Sequence, residues 1–463
     1  MAKKTKDSNL SVEERLEQAL IPNWDEPYKL PENWCWVYLT KGFAQCLDSF
    51  RKPVNASDRS EMQGDIPYYG ATGQVGWIND YLTNEHLVLL GEDGAPFLDY
   101  EKNKAYIIKG KAWVNNHAHI LKSFYGEDSN LYLMHYLNVF NYHGYVNGST
   151  RLKLTQESMN SIPVPLAPID EQQRIVSRIE SLFAKLDEAK EKAQEVVVGF
   201  ETRKAAILHK AFSGELTAKW REENDVDISN YVKRRFDEVA IIKSNLVDPA
   251  EYQNYPHIAP DNIEKKTGVL LEYHTIAEDG VKSGKHRFYP GQILYSKIRP
   301  NLSKVVVVDF DGLCSADMYP IEALGDARCL WYFMLSENFL EQASSAGSRS
   351  VLPKINQKEL SVLTVTIPDS IEEQKEIANI IDSLFAKEYQ VKETAEAVIE
   401  QIDIMKKAIL ARAFRGELGT NDPREESAVE LLKKVLDGDA DVQALAKKPT
   451  KRSSIPSDIK IQD

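Results

Sequence analysis

The feature that most constrains this chain is an internal duplication. Ser181-Leu182-Phe183-Ala184-Lys185 recurs as Ser383-Leu384-Phe385-Ala386-Lys387, and Ala211-Phe212-Ser213-Gly214-Glu215-Leu216 as Ala413-Phe414-Arg415-Gly416-Glu417-Leu418, both at an offset of 202 positions. Of the 46 pairs from Glu171/Glu373 to Leu216/Leu418, 22 are identical without a gap. Identity on that scale means two copies of one structural element. Apolar residues in the first copy fall at Ile175, Ile179, Leu182, Leu186, Ala189, Ala193, Val196, Phe200 and Ile207, alternating by three and four. The second copy repeats the register at Ile377, Ile381, Leu384, Val391, Ala395, Val398, Ile402, Met405 and Ile409. This is the heptad pattern of a helix with one narrow apolar stripe, which needs a partner helix to cover it. Arg203 interrupts the first seam and Glu388 the second. Phe183, Phe212, Phe385 and Phe414 flank the stripe and belong with it as seam or docking positions.

Each copy is expected to be one uninterrupted helix of about 65 Å at 1.5 Å per residue. Gly214 and Gly416 mark the exits, and Ser370-x-x-Glu373 reads as a capping box at the second entry. Residues 217–368 separate the copies, so a whole domain returns the chain and the helices are expected to run antiparallel. The organisation is then an N-terminal segment with a short helix (1–23), a first domain (24–168), a first long helix (169–216), a linker with a second domain (217–368), a second long helix (369–418) and a charged tail (419–463) with a short helix followed by disorder. Strand-like runs such as Leu87-Val88-Leu89-Leu90 and Lys304-Val305-Val306-Val307-Val308 give both domains a mixed α/β character. The fold class is therefore α/β of the mixed α+β kind, with two domains alternating with two long antiparallel coiled-coil helices in a pseudo-twofold repeat. Helices that stay alike while domains diverge suggest two heads with different targets on one spacer.

Composition narrows the function. Lys and Arg number 57 against 70 Asp and Glu, a net charge of −13, so nucleic acid would have to be met by local patches or with a basic partner. No run approaches the ~20 apolar residues of a membrane span, and the start lacks a signal-peptide core. Cys35, Cys46, Cys314 and Cys329 show no Cys-x-x-Cys spacing, which fits free thiols in a reducing cytoplasm and no metal site. The Asn/Asp-Pro-Pro-aromatic motif of an adenine methyltransferase is missing, and Gly280-Val281-Lys282-Ser283-Gly284-Lys285-His286 is too short for a phosphate loop. Asp369, Glu373 and Lys375 resemble a nuclease set only until their place at a helix start is considered, where carboxylates complement the dipole. His117 and His119 alternate on one strand face, and without a third ligand nearby they read as surface histidines rather than metal ligands.

What remains is recognition. Asn115, Asn116 and His117 in the first domain, and Lys297 and Arg299 in the second, are groups that read base edges or hold phosphate. Each domain also ends in a polar and basic segment before its helix. In the first it carries Ser149, Thr150, Arg151 and Lys153; in the second, Ser348, Arg349 and Lys354. The matching junctions make Arg151 with Lys153, and Arg349 with Lys354, the better candidates.

These residues carry a resemblance. Pro31-Glu32-Asn33-Trp34-Cys35-Trp36, the phrase Gly148-Ser149-Thr150-Arg151-Leu152-Lys153-Leu154, the run Ile162 to Pro168 into Glu171-Gln172-Gln173-Arg174-Ile175-Val176, and the twice-occurring Gly-Glu-Leu exit resemble the specificity subunits of type I restriction–modification systems over nearly the whole length. The resemblance implies two target-recognition domains, each reading one half of a bipartite asymmetric site in double-stranded DNA. It implies a non-catalytic subunit whose helices dock two methyltransferase subunits, with motor–endonuclease subunits joining for restriction. S-adenosylmethionine, ATP and Mg²⁺ would then belong to those partners and none to this chain. Two readings from other classes stay open at this point: a coiled-coil scaffold whose heads bind proteins, and a nuclease or methyltransferase acting alone.

Overall fold

The second repeat forms one helix and the first does not. In the computed structural model, which describes residues 10–22, 24–347 and 353–438, the first copy forms α1 (Ile169–Val198) and α2 (Phe200–Phe212), and the second forms α3 (Ile371–Ala413). The expectation of an uninterrupted first helix is corrected at Gly199, whose counterpart in the second copy is Gln401. Glycine is the poorest helix former after proline, by about 1 kcal/mol relative to alanine. The break is shallow, because Gly199 N–H still donates to Glu195 O (2.9 Å) and Arg203 N–H to Gly199 O (3.0 Å). The missing side chain has a use: a Cβ there would lie 2.6 Å from Arg203 Nη1. Arg203 folds over the glycine, donates from Nη2 to Val196 O (2.9 Å) and from Nε to Glu388 Oε2 (2.7 Å). The two residues that interrupt the apolar seams are therefore each other's partners.

The described residues divide into two units, those up to Glu191 together with those from Ile399 onward, and those within Lys192–Val398. Within the first, Lys190 pairs with Asp403 (2.8 Å) and Lys406 with Asp187, so α1 and α3 run antiparallel there. Within the second, Phe200 meets Tyr389 (ring centroids 5.0 Å apart) alongside the Arg203–Glu388 pair, again antiparallel. Ile175, Ile179, Ile377, Ile381, Phe385 and Phe414 are buried, while Leu182, Phe183, Leu186, Ile207, Phe212, Leu384 and Ile409 are half-buried. Val391, Val398 and Met405, expected in the seam, are instead exposed by 48%, 40% and 48%. An α-helix drifts by ~20° per strict heptad, so of the two seam rows in α3 only the one through Ile381, Ala395 and Ile402 stays inside.

Each unit carries a head built on the same four-stranded antiparallel sheet. In the first, β1 (Ala44–Cys46), β2 (Leu87–Gly91), β3 (Ala105–Ile108) and β4 (Ala118–Ser123) lie in the order β1-β4-β2-β3. In the second, β5 (Ala240–Ile242), β6 (Ile293–Ser296), β7 (Val305–Val307) and β8 (Met318–Ala323) lie in the order β5-β8-β6-β7. β2 and β6 are buried along their whole length, which is why they read as continuous apolar runs rather than alternating ones. Each head is closed by pairing its first strand with its last: Cys35–Tyr38 with Pro163–Leu166, and Tyr231–Arg235 with Thr364–Pro368. The chain then passes directly into α1 or α3.

A buried glutamate anchors each helix entry. Glu373 accepts from Thr217 Oγ1 (2.7 Å), Arg221 Nη1 (2.8 Å) and Asn230 Nδ2 (2.8 Å). The expected capping box is half-made: Ser370 Oγ accepts from Glu373 N–H, but the Glu373 carboxylate turns inward instead of reaching back. Its repeat counterpart Glu171 accepts from Trp34 Nε1 (2.7 Å), Thr420 Oγ1 (3.2 Å) and Asn421 Nδ2 (2.8 Å). The charged tail thus begins as part of the first unit: Arg174 forks onto Glu425 (2.7 and 2.8 Å), and Ala428, Leu431 and Leu432 of the helix Ala428–Asp437 join its core. Residues 439–463 lie outside the described residues. All four cysteines are free thiols, and no described helix is long and apolar enough to cross a membrane.

Candidate nucleic-acid interface

In the first head three segments meet at the end of the sheet: the turn after β2, the residues before β4, and the strap that precedes α1. Glu92 N–H donates to His117 O (2.8 Å), Leu154 N–H to Glu92 O (2.8 Å) and Gly94 N–H to Leu152 O (2.9 Å). Together with the hairpin Gly70-Ala71-Thr72 they surround a concavity of about 560 Å³ that Asn115, His117, Thr150 and Arg151 line. Asn115 is buried and spends Oδ1 on His117 N–H (2.8 Å), which makes it a support. Asn116, Ser149, Thr150, Arg151 and Lys153 are exposed. Two acids answer the two cations of the strap: Asp93 Oδ1 lies 2.7 Å from Arg151 Nε, and Glu92 Oε1 lies 3.3 Å from Lys153 Nζ. Asp93 Oδ2 also lies 3.4 Å from His117 Nδ1.

Beneath this surface sits an ionic cluster. His119 is fully buried, which corrects the surface reading of that residue. Its Nδ1 meets Asp48 Oδ2 (2.7 Å) and its Nε2 meets Leu154 O (3.0 Å), so it ties the strap to the sheet. Arg51 bridges Asp48 (2.9 Å) and Glu92. Burial would raise the Asp48 carboxyl, but the His119 hydrogen bond and charge, the Ile120 N–H and Arg51 outweigh it and hold the group below the usual carboxylate range. Asp48, Glu92 and His119 are close enough together to hold a metal ion. Their donor atoms, however, already serve Arg51 and one another, so the chemistry of the set is that of a closed salt-bridge network.

The second head repeats the frame with other side chains. Lys297 N–H donates to Asp317 O (3.0 Å), Ile355 N–H to Lys297 O (2.9 Å) and Arg299 N–H to Pro353 O (2.8 Å). By position, Lys297 matches Glu92, Ile298 matches Asp93, Asp317 matches His117 and Lys354 matches Lys153, as the bridges Asp93 to Lys153 and Ile298 to Lys354 confirm. Here Asp317 collects the cations, at 3.3 Å from Lys354 Nζ and 3.7 Å from Lys297 Nζ. Lys297 also lies over the Tyr319 ring (5.5 Å), where the first head has His119. Arg299 is exposed, adopts φ 47°, and its guanidinium has no partner among the described residues. A non-glycine residue in that conformation is strained by about 1–2 kcal/mol, a feature that gathers at functional sites. Ser348 and Arg349 lie outside the described residues.

The sequence reading missed the acids. Asp48, Glu92 and Asp93 act on residues tens of positions away, and nothing local to them signals it. It also missed Arg287, which lies over Tyr252 (5.2 Å), Tyr255 (5.8 Å) and Tyr289 (4.9 Å).

Two heads built on one four-stranded sheet order, presenting different polar groups on the same backbone frame, define a two-headed recognition protein. The profile described as "Type I restriction modification DNA specificity domain" matches residues 41–197 and 228–401. The EcoDI type I restriction enzyme specificity subunit of Escherichia coli is 34% identical over 436 residues, covering 88% of this chain and 95% of that one. The EcoBI specificity subunit of the same species is 26% identical over 318 residues, 61% of this chain and 65% of that one. The fold is that of the HsdS subunit from Thermoanaerobacter tengcongensis (TM-score 0.55, 16% identity, 85% of this chain and all of that one). A chain solved in a study of complex assembly and conformational transition of the type I R-M system is similar at TM-score 0.58, with the same identity and coverage. The chain belongs to the type I restriction–modification specificity subunits, and is thus a non-catalytic subunit for DNA sequence recognition.

Proposed function

We propose that each head reads one half of a bipartite, asymmetric site in double-stranded DNA, and that the helices hold two methyltransferase subunits and the motor–endonuclease subunits in register with it. The observation that carries this reading is the shared frame with unlike contents. The same three-segment junction presents Asp93, His117 and Arg151 in one head, and Lys297, Arg299 and Asp317 in the other. A common scaffold with exchanged hydrogen-bonding groups is what two different base sequences require. The helix α3, 43 residues long, spans about 65 Å, close to two ~34 Å turns of B-DNA. Adenine methylation with S-adenosylmethionine, and ATP- and Mg²⁺-dependent translocation and cleavage, would fall to the partner subunits.

The test is a pair of variants in the assembled methyltransferase complex. Arg151→Ala is expected to relax one half-site and Lys354→Ala the other, each leaving the opposite half unchanged. Uniform loss across both halves from either variant would contradict the assignment of one head to one half-site.

A further inference from the structure

Resting on the DNA-recognition reading above, we propose that Asp93 is the positioning residue that sets Arg151 to read a guanine in the half-site of the first head. Three features fix the arginine before any DNA arrives. The Asp93 carboxylate holds its Nε at 2.7 Å. Gly94, at φ 78°, leaves the guanidinium room to lie against its backbone, where a Cβ would come within 3.1 Å of Nε and 3.6 Å of Cζ. Gly148, at φ 107°, turns the strap so tightly that a Cβ would meet Arg151 O at 2.4 Å, which fixes the backbone that carries the side chain.

With Nε engaged, the two terminal nitrogens remain. Neither has a partner among the described residues, although the side chain is 60% exposed. They form an end-on fork at the edge of the concavity, the geometry that matches O6 and N7 of guanine in the major groove. A contact to phosphate would not need this device. An acid beside a phosphate-binding arginine weakens the attraction that makes such contacts useful, whereas an acid that fixes the plane of the guanidinium sharpens a bidentate contact. His117, 3.4 Å from the other Asp93 oxygen, shares the same carboxylate, so one acid orients two of the polar side chains that line the concavity. In the second head Ile298 and Arg299 stand where Asp93 and Gly94 stand, so the buttress belongs to the first head alone.

The experiment uses the full chain, co-expressed with its methyltransferase subunits, and maps the methylated motif for the unmodified chain, Asp93→Asn and Arg151→Lys. Asp93→Asn keeps the shape of the side chain and removes its charge. The expected result is that both variants lose discrimination at the same single guanine of one half-site, by roughly ten-fold or more, while the other half-site and assembly with the methyltransferase are unchanged. An unaltered motif in Asp93→Asn overturns the proposal. So does an even loss of methylation at every position in an assembled complex, which is the mark of a structural role, or relaxation at a base that Arg151→Lys does not affect. Absence of any bipartite motif with the unmodified chain is a different result: it removes the DNA-recognition reading itself.

Discussion

The pairing of Arg203 with Glu388 makes a quantitative prediction about the repeat. Arg203→Met and Glu388→Leu give each position the residue that its repeat counterpart carries, Met405 and Leu186. At ~4 Å and an effective dielectric between 20 and 80, two unit charges attract by about 1–4 kcal/mol. Side-chain exposures of 36% and 22% move this pair toward the lower end through solvent screening. Removing one partner also strands the other beside an apolar seam, which adds to the loss. Each single variant is therefore expected to lose about 1–2 kcal/mol, and the double variant to recover most of it by completing the apolar stripe, with a coupling energy of about 2–3 kcal/mol. Urea denaturation followed by far-UV circular dichroism, on all four proteins of the cycle, measures this. Losses that simply add, with coupling below about 0.5 kcal/mol, would refute the claim that the two interruptions exist for each other.

Three further outcomes follow from named contacts. Glu373→Ala leaves Arg221 buried without its counter-charge and should cost about 3–5 kcal/mol; a loss under 1 kcal/mol in denaturant titration would show the Thr217–Arg221–Asn230 network to be dispensable. Burial pushes His135, packed on Phe183, down to about 4 from the ordinary 6.5. The unfolded chain therefore takes up a proton first as pH falls below 6.5, and stability should drop by roughly 1–2 kcal/mol by about pH 5. That dependence should shrink in His135→Gln, and an identical pH profile in the variant would contradict it. Insertion or deletion of residues in α2, between Phe200 and Ala211, should change the spacer between half-sites and neither half-site sequence; methylation mapping that shows altered half-sites would contradict the helices' role as a ruler.

The helices were legible because their periodicity is local and duplicated, so Ile175, Ile179, Ile377 and Ile381 could be placed in the core from spacing alone. The break at Gly199 was not, since a single glycine in a long helical pattern is tolerated and only the fold of Arg203 over it gives it a purpose. Val391, Val398 and Met405 fit a strict heptad, but the real helix rotates them outward. Arg151, Lys153 and Lys354 of the candidate interface were singled out because each precedes a repeated helix entry, a sequence landmark, and the structure brings each of them beside an acid. Asp93, Glu92 and Asp48 were not singled out, because a carboxylate's partner is set by the register of β2 against β4 and by the closure of the strap, which are long-range facts. The short helix of the tail was legible, but its attachment was not, for a related reason: charges dominate its composition, while Thr420, Asn421 and Glu425 serve Glu171 and Arg174, more than 240 residues earlier.

The central claim is that this chain chooses the DNA sequence for a methyltransferase it does not itself contain. The most direct measurement is to co-express it with the methyltransferase subunit and map methylated adenines genome-wide by single-molecule sequencing, with and without this chain. A bipartite motif that appears only when the chain is present is the predicted result. A stable complex that methylates no defined motif, or the same motif in its absence, would contradict it.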